Sequence, residues 1–406
     1  MPDLDLWLYG TPVASVTAER STRARLSFRR EAIDRWGLGS RILTVAEPLT
    51  TETLPPARTA VVLEGLLPEG EARETLEELF GRSLTDLLAS LGRETVGAIV
   101  AVPGGDDPNR HAGPALGSEL SEVDIAERLR GLRARPLGVS PETPVRISLA
   151  GAQPKLPLHR TEAGYFDPSF ENPSTVILKP EQGEWPRLVE LEAWGLEVMR
   201  AAGVAVPDWE LASFDGIMTL IVRRFDRYRE DGMVSRIHQE DLCMAVGARP
   251  REKYATSPRA RTSLAALANV VYRNSRRPDE DLDRFIRVVV TNIAIGNCDG
   301  HARNLGLLHY EDGTVELAPA YDVVPTYHYS AHSKILAQVI NGQPMRPETV
   351  TWDHLLAEVR TWGIRGADDH LRDAVAAVFD AVRAVGPPSH SPNLEQLILR
   401  ADRILP

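Results

Sequence analysis

The first ordered pattern along the chain has period two. "DLWLYGTPVASVTAE" (5–19) alternates apolar and polar residues on both sides of a Tyr-Gly pair, which predicts a hairpin. "ARLSFRREAIDRW" (24–36) continues in strand character. The period then lengthens. "EARETLEELFGR" (71–82) and "SLTDLLASLGRE" (83–94) predict short amphipathic helices, with Ser83 and Thr85 as candidate caps of the second. "VGAIVAVP" (96–103) is a buried strand, and "GGDDPNRHAGPALGSE" (104–119) is a loop by its Gly, Pro and polar content. "VDIAERLRGLRA" (123–134) predicts a helix, and "RPLGVSPETP" (135–144) a linker.

Beyond a boundary near residue 138 the pattern changes. "VRISLAGAQPKLPLHR" (145–160) predicts a strand, a small-residue turn and a second strand. "GYFDP" and "STVILKP" add strands, "LVELEAWGLEVMRAAG" is a helix ended by Gly203, and 204–227 returns to strands. From about residue 236 the pattern is helical: "HQEDLCMAVGA", "SLAALANVVYRN" and "DLDRFIRVVVTNIAIGN". A strand pair, "LGLLHYEDGTVELAP" (305–319), interrupts it before helices resume to the end. The expected class is α+β, with an α/β segment over 1–137, a sheet-rich lobe over 138–235 and a helical lobe over 236–406. A cleft between two such lobes is a common ligand site.

Composition narrows the function classes. The chain has 406 residues, 43% apolar and 25% charged, as expected for a globular protein with two or three cores. It lacks the apolar run of roughly 18 residues that a membrane span needs, so no membrane association is expected. The N-terminus does not read as a secretory signal, and Cys243 and Cys298 alone make no disulfide framework, so the cytoplasm is the expected compartment. A net charge of −11 disfavours direct nucleic-acid binding. "YRNSRRP" (272–278) is the exception, as a local basic patch or as a solvated helix end.

The candidate chemistry starts in "NCDGHARNLGLLHY" (297–310). Asp299 and Asn304 have the Asp-x-x-x-x-Asn spacing of a kinase catalytic loop, where the Asp accepts the acceptor hydroxyl's proton and the Asn holds Mg²⁺. The same pair can be turn chemistry. Asp322, after the strand pair, stands where a metal-binding Asp belongs, although Asp-Phe-Gly is absent; it reads equally as a turn residue. Lys179 ends an apolar strand, from which it could reach nucleotide phosphates or lie solvated on a sheet edge. Glu190 and Glu192, on the following helix, are candidate partners for it. In "SLAGAQPK", the small residues Ala150, Gly151 and Ala152 would let backbone N–H groups approach phosphate oxygens, and Lys155 would add charge; a plain hairpin is the alternative.

Taken in order, these pieces are the parts of a kinase-like phosphotransferase. The chain resembles HipA-like serine/threonine kinases, the toxin components of bacterial toxin–antitoxin modules. The resemblance rests on "LEGLLPEGEARE", "LGRETVGAIV", "ISLAGAQPKLPL", "VILKP", "RRFDR", "HQEDLCMAVG", "NCDGHARNLGLL" and "LAPAYDVVPT", in one order across nearly the whole chain. It implies a HipA N-terminal subdomain fused to a two-lobed kinase-like fold that uses ATP and Mg²⁺. Asp299 would be the catalytic base, Asn304 and Asp322 the metal ligands, and Lys179 the phosphate contact. Glu192 would be the helix Glu, and the loop from Ala150 through Gln153 to Lys155 would cover the phosphates. Arg223 to Phe225 would form the adenine hinge; His301, from its place beside Asp299, is read separately as bracing the catalytic loop. Ser148 would be the autophosphorylated serine that switches the enzyme off. The resemblance further implies growth arrest, a HipB-like DNA-binding antitoxin that carries most of the DNA contact, and a protein substrate, which in the family can be an aminoacyl-tRNA synthetase. This chain departs from the family pattern at Pro154, which removes a backbone N–H from the loop, and at Arg223, where an acidic residue can occur. An aminoglycoside-type phosphotransferase shares the Asp-x-x-x-x-Asn loop, and an ATP-binding protein without catalysis is the other rival.

Overall fold

The computed structural model describes residues 1–406 apart from 21–22, 109–115, 141–145, 152 and 231–232, and apart from the side chain of Arg20. The chain forms two compact units. The first holds Met1–Glu181, Asp208–Glu240 and Leu308–Thr314; the second holds Gln182–Pro207, Asp241–Leu307 and Val315–Pro406.

The first unit opens with the expected hairpin, β1 (Leu4–Leu8) and β2 (Thr11–Arg20). Tyr9 and Gly10 both take positive φ, 50° and 71°, as a two-residue hairpin turn requires. β3 (Arg23–Phe28) pairs with β2, and β4 (Val100–Pro103) pairs with β1. The strand expected to continue to residue 36 stops at Phe28, and α1 (Arg30–Trp36) follows. There Ala32 is buried while Ile33 and Trp36 pack on the core, a helical spacing that overrides the alternation before it.

α2 (Pro56–Gly65), α3 (Gly70–Phe80) and α4 (Leu84–Leu91) follow. α2 carries Pro in its first turn, where the missing N–H costs nothing. Ser83 caps α4 by accepting the Asp86 N–H at 3.0 Å, whereas Thr85 lies inside the helix. The core of this part joins Leu4, Leu6, Leu63 and Leu88 to the later residues Val139, Ile147 and Leu149. The strand expected at 145–150 is reduced, over its described part, to a parallel bridge between Ile147 and Glu94.

α5 (Glu122–Arg130) starts at a Ser121–Asp124 capping box. It lays Ile125, Ala126 and Leu129 on an antiparallel sheet of β5 (Leu156–Arg160), β6 (Tyr165–Phe166), β7 (Val176–Pro180), β8 (Trp209–Phe214) and β9 (Ile217–Arg223). The strand order is β6-β5-β7-β9-β8, which puts β7 at the centre. A hairpin, β10 (Arg227–Glu230) and β11 (Met233–Arg236), leads to β12 (His238–Asp241). The helix expected from 238 is therefore confined to 242–245. His238, Gln239 and Glu240 are buried as strand, and only then does the Asp241 carboxylate cap a helical turn, accepting the Met244 N–H at 2.8 Å.

The second unit contains α6 (Leu188–Ala201), α7 (Leu242–Ala245), α8 (Leu264–Asn274), α9 (Pro278–Ile295), β13 (Gly306–His309), β14 (Val315–Leu317), α10 (Trp352–Arg360), α11 (Ala367–Val385) and α12 (Pro392–Leu399). The tip of the β13–β14 turn, residues 308–314, belongs to the first unit. α9 is the spine of this unit. It buries Leu282, Phe285, Ile286 and Ile293 at helical spacing and packs against α6, α8 and α11. Gly296 ends it in the left-handed conformation, φ 75°, and a Cβ there would come within 2.6 Å of Tyr327. The candidate catalytic loop begins at the next residue. No helix among the described residues is long and apolar enough to cross a membrane.

Candidate functional site

The candidate residues divide between the units. Asp299, His301, Asn304, Asp322 and Glu192 lie in the second; Ser148, the 150–155 loop, Lys179, Arg223 and Phe225 lie in the first.

In the second unit, residues 297–304 are tied at nearly every position. The Asn297 N–H donates to the carbonyl of Asn292 at 2.8 Å and its side-chain amide to Asn292 Oδ1 at 3.1 Å. Asn297 Oδ1 in turn accepts the Asp299 N–H at 3.1 Å. The Cys298 N–H donates to the Thr326 hydroxyl at 2.9 Å. Burial pushes the Cys298 thiol up to about 12, so this cysteine is a packed residue rather than a nucleophile. The Asp299 carbonyl accepts from the His301 N–H at 2.7 Å and from Asn304 Nδ2 at 3.0 Å. The five-residue spacing of Asp299 and Asn304 thus closes a loop in which the amide nitrogen of Asn304 is committed to the backbone. Its carbonyl oxygen is the end left to face a cation, a hard donor of the kind Mg²⁺ takes.

Asp322 has φ 52°, a left-handed backbone that Asp tolerates better than most residues. Its neighbours are held on both sides. The Tyr321 hydroxyl donates to the Arg303 carbonyl at 2.9 Å, which ties this segment to the residue before Asn304. Behind it, Gly195 of α6 lets the Val323 carbonyl approach so closely that a Cβ would lie 2.1 Å from that oxygen. Three residues earlier on the same helix, Glu192 is buried. Arg303 is itself fixed by Asp241, at 2.7 Å. His301 is buried, and its ring meets the edge of Tyr254 at 5.1 Å. The Tyr254 hydroxyl donates to Asp299 Oδ1 at 2.6 Å, a contact that no sequence spacing points to.

In the first unit, Lys179 sits on the central strand β7, paired with Leu220, and is buried. The reading of a solvated edge lysine is thereby excluded. The phosphate-loop candidate is folded on itself and onto the N-terminal part. Lys155 Nζ donates to the Ala150 carbonyl at 2.7 Å. Gly151 (φ 104°) permits this, since a Cβ would stand 2.4 Å from that nitrogen. Gln153 Nε2 is buried with no hydrogen-bond partner in the described structure, a donor that a nucleotide oxygen would satisfy. Ala152 lies outside the described residues. Ser148 is fully buried; its hydroxyl donates to the Leu66 carbonyl at 2.6 Å and its N–H to the Glu94 carbonyl at 2.8 Å.

The hinge candidates differ from one another. Arg223 is exposed at the end of β9, and its N–H donates to the Asp208 carbonyl at 2.8 Å; Phe225 is half-buried. Between and after them lies a buried charge cluster that the sequence reading missed. Arg224 pairs with Glu94 at 3.1 Å and Asp226 at 2.7 Å, and Arg227 pairs with the same two carboxylates at 3.1 and 3.0 Å. Glu94 also accepts from the Ser174 N–H and hydroxyl, at 3.0 and 2.6 Å, and Asp226 from the Gly97 N–H at 2.9 Å. Burial opposes the charge on Glu94, but Arg227, Arg224 and Arg236 outweigh it and hold the carboxyl below its ordinary 4.5. The same balance holds Asp226 well below the carboxylate range. The signal was present in "GRETVG" and "RRFDR", but their pairing is a tertiary fact.

The basic stretch at 272–278 is partly paired locally. Arg276 and Arg277 both pair with the buried Glu316, and Arg277 also meets Glu280 at 3.2 Å, which engages two of the three arginines of the expected patch.

Comparison with known proteins agrees with this architecture. A model of the HipA-like C-terminal domain matches residues 147–385, and one of the HipA N-terminal domain matches residues 4–102. The chain belongs to the HipA family. The C-terminal HipA segment contains every candidate residue from Ser148 to Asp322, and the N-terminal one contains Leu66 and Glu94. Among its relatives, a protein of Sinorhizobium fredii named "Putative kinase Y4mE" is 32% identical over 347 residues, spanning 83% of this chain and 80% of that one. A second from the same organism, "Putative kinase Y4dM", is 26% identical over 80% of this chain and 78% of its own length. The fold matches that of HipA from Shewanella oneidensis MR-1, solved with HipB and operator DNA, with a TM-score of 0.80 and 23% identity over 99% of this chain and 97% of that one.

Proposed function

We propose that this HipA-family protein is an ATP- and Mg²⁺-dependent protein serine/threonine kinase. The observation that carries the reading is the 297–304 loop. It fixes Asp299 and Asn304 in one hydrogen-bonded turn, with the carboxylate of one and the carbonyl oxygen of the other as its chemical ends. When bound, Mg²⁺–ATP supplies the phosphoryl group and neutralises the charge that develops on it. Asp299 orients the acceptor hydroxyl and takes its proton. Asn304 and Asp322 supply the oxygens for the metal, and Lys179 the cation for the phosphates. The backbone of residues 223–225 holds the base, and Glu192 and His301 support these groups. The loop from Ala150 to Lys155 covers the phosphates, with the Gln153 amide as a donor.

The regulatory part of the proposal concerns Ser148. Its hydroxyl is sealed against the Leu66 carbonyl, so it can be phosphorylated only when the loop leaves its seat. A phosphoserine, with about −1.5 to −2 charge, could not return to a buried site made for a neutral hydroxyl. Autophosphorylation would then lock the loop out and silence the enzyme. The name kinase among the relatives and the HipA structure solved with HipB support a toxin restrained by a HipB-like DNA-binding antitoxin; action in the cytoplasm on a cellular protein completes the proposal.

The test is mass spectrometry of the purified protein after incubation with ATP and Mg²⁺, beside Asp299→Asn. Phosphate on Ser148 in the wild type alone is the expected result. Absence of both phosphate uptake and ATP binding, after phosphatase pretreatment, would overturn the kinase reading.

A further inference from the structure

Tyr254 lies in "REKYATSP", a segment that none of the kinase-like motifs covers. Its hydroxyl donates to Asp299 Oδ1 at 2.6 Å, a short, charge-assisted bond. The segment is pinned on both sides of the ring. The Lys253 carbonyl accepts the Ala302 N–H at 3.2 Å, and the Ala255 N–H donates to the Ala337 carbonyl at 3.1 Å. The ring packs edge-on against His301, and Lys253 Nζ stands 5.4 Å from its centre. Tyr254 is nonetheless 42% exposed, so core packing does not account for an aromatic residue here.

The chemistry follows from counting acceptor sites. A carboxylate has two oxygens, and the torsion that turns it is broad. The backbone bonds around Asp299 fix its main chain but not its carboxylate plane. The phenol does so by holding Oδ1, which leaves Oδ2 as the oxygen presented to an acceptor hydroxyl. We infer that Tyr254 is a positioning residue for phosphoryl transfer: it sets the orientation of the Asp299 carboxylate towards the substrate hydroxyl. This rests on the reading of Asp299 as the catalytic base. Because the ring is strapped to the catalytic loop through Lys253 and Ala302, it moves with Asp299 rather than swinging off it.

The experiment uses the full chain with Mg²⁺–ATP and follows loss of the ATP γ-phosphate, to protein or to water, at saturating nucleotide. ATP affinity and melting temperature are measured alongside. Tyr254→Phe keeps the ring and removes the donor. The expected result is a maximal rate about 10- to 100-fold lower, the worth of one hydrogen bond to a charged group. ATP affinity should stay within about twofold and the melting temperature within about 2 °C. The double variant Asp299→Asn, Tyr254→Phe should be no slower than Asp299→Asn alone, because the two residues act as one unit. A Tyr254→Phe rate equal to or above wild type would overturn the inference, and a rise would mean that the phenol obstructs Asp299. If Asp299→Asn itself keeps the wild-type rate, the failure lies with the assignment of the base.

Discussion

Replacing Glu94 by Gln removes one negative charge from the buried cluster while keeping the size of the side chain. At present three guanidinium groups, of Arg224, Arg227 and Arg236, face two carboxylates, of Glu94 and Asp226. Glu94 Oε1 alone accepts from Ser174, Arg224 and Arg227. After the substitution, the buried Arg224 and Arg227, with the half-buried Arg236 near them, share one carboxylate, and the new amide turns N–H groups towards guanidinium donors. Breaking a buried pair from one side costs about 3–5 kcal/mol, because the partner's charge stays buried without compensation. For a unit of this size each kcal/mol moves the melting temperature by about 2–4 °C, so a fall of about 6–20 °C is expected. Differential scanning calorimetry measures it, with Arg223→Gln as the control. That neighbouring arginine is exposed and meets Asp208 only at 3.7 Å, so its loss should change stability by no more than about 0.5 kcal/mol. The cluster also sets a pH dependence. Glu94 and Asp226 titrate below their ordinary values of 4.5 and 3.8 when folded, so the unfolded chain binds more protons in that range. Their contribution is complete above the ordinary values and is lost as the pH falls towards the lowered ones. Glu94→Gln should flatten the acid limb of a stability–pH curve. A melting temperature within about 2 °C of wild type, with the acid limb unchanged, would refute the account of this cluster.

Four further outcomes follow from the geometry. Ser148→Ala should cost about 1–3 kcal/mol by leaving the Leu66 carbonyl unsatisfied. Ser148→Asp should release the loop, seen as faster limited proteolysis and weaker ATP binding by calorimetry. Gly195→Ala puts a methyl 2.1 Å from the Val323 carbonyl and must displace the segment bearing Asp322; phosphoryl transfer should fall at least about tenfold and stability by about 1–3 kcal/mol, checked by kinetics beside thermal melts. The Cys298 thiol, pushed up to about 12, should resist iodoacetamide at pH 8 in the folded protein and label fully in denaturant, as intact mass will show.

The parts of the fold legible in the sequence are those in which one local signal dominates. The Tyr9-Gly10 hairpin, the Ser83 cap, the long stripe of α9 and the turn to β13 and β14 each carry their own pattern. The misreadings fall where the signals compete. "REAIDRW" follows an alternating run but has helical spacing, and "HQED" looks helical yet is buried as strand. The candidate site divides in the same way. Asp299 and Asn304 are bonded within one loop, so their spacing reports their geometry. Tyr254 reaches Asp299 from 45 residues upstream, and Glu94 reaches Arg227 across 133 residues, distances over which no periodicity carries information. Lys179 shows a third case, because its position was legible but its burial depended on which strand became the centre of the sheet.

The seat of Ser148 bears on how such chains can be recombined. The serine and the bridge beside it bind to the carbonyl of Leu66 and to the backbone of Glu94, both within the first hundred residues. That stretch is therefore not a detachable cassette. A chimera that joins the N-terminal segment of one relative to the catalytic segment of another has to match two backbone docking points and a charge cluster at once. Grafts cut near residue 138 would separate a lock from its keyhole, and successful exchanges should carry residues 60–100, 146–151, 174 and 224–227 together.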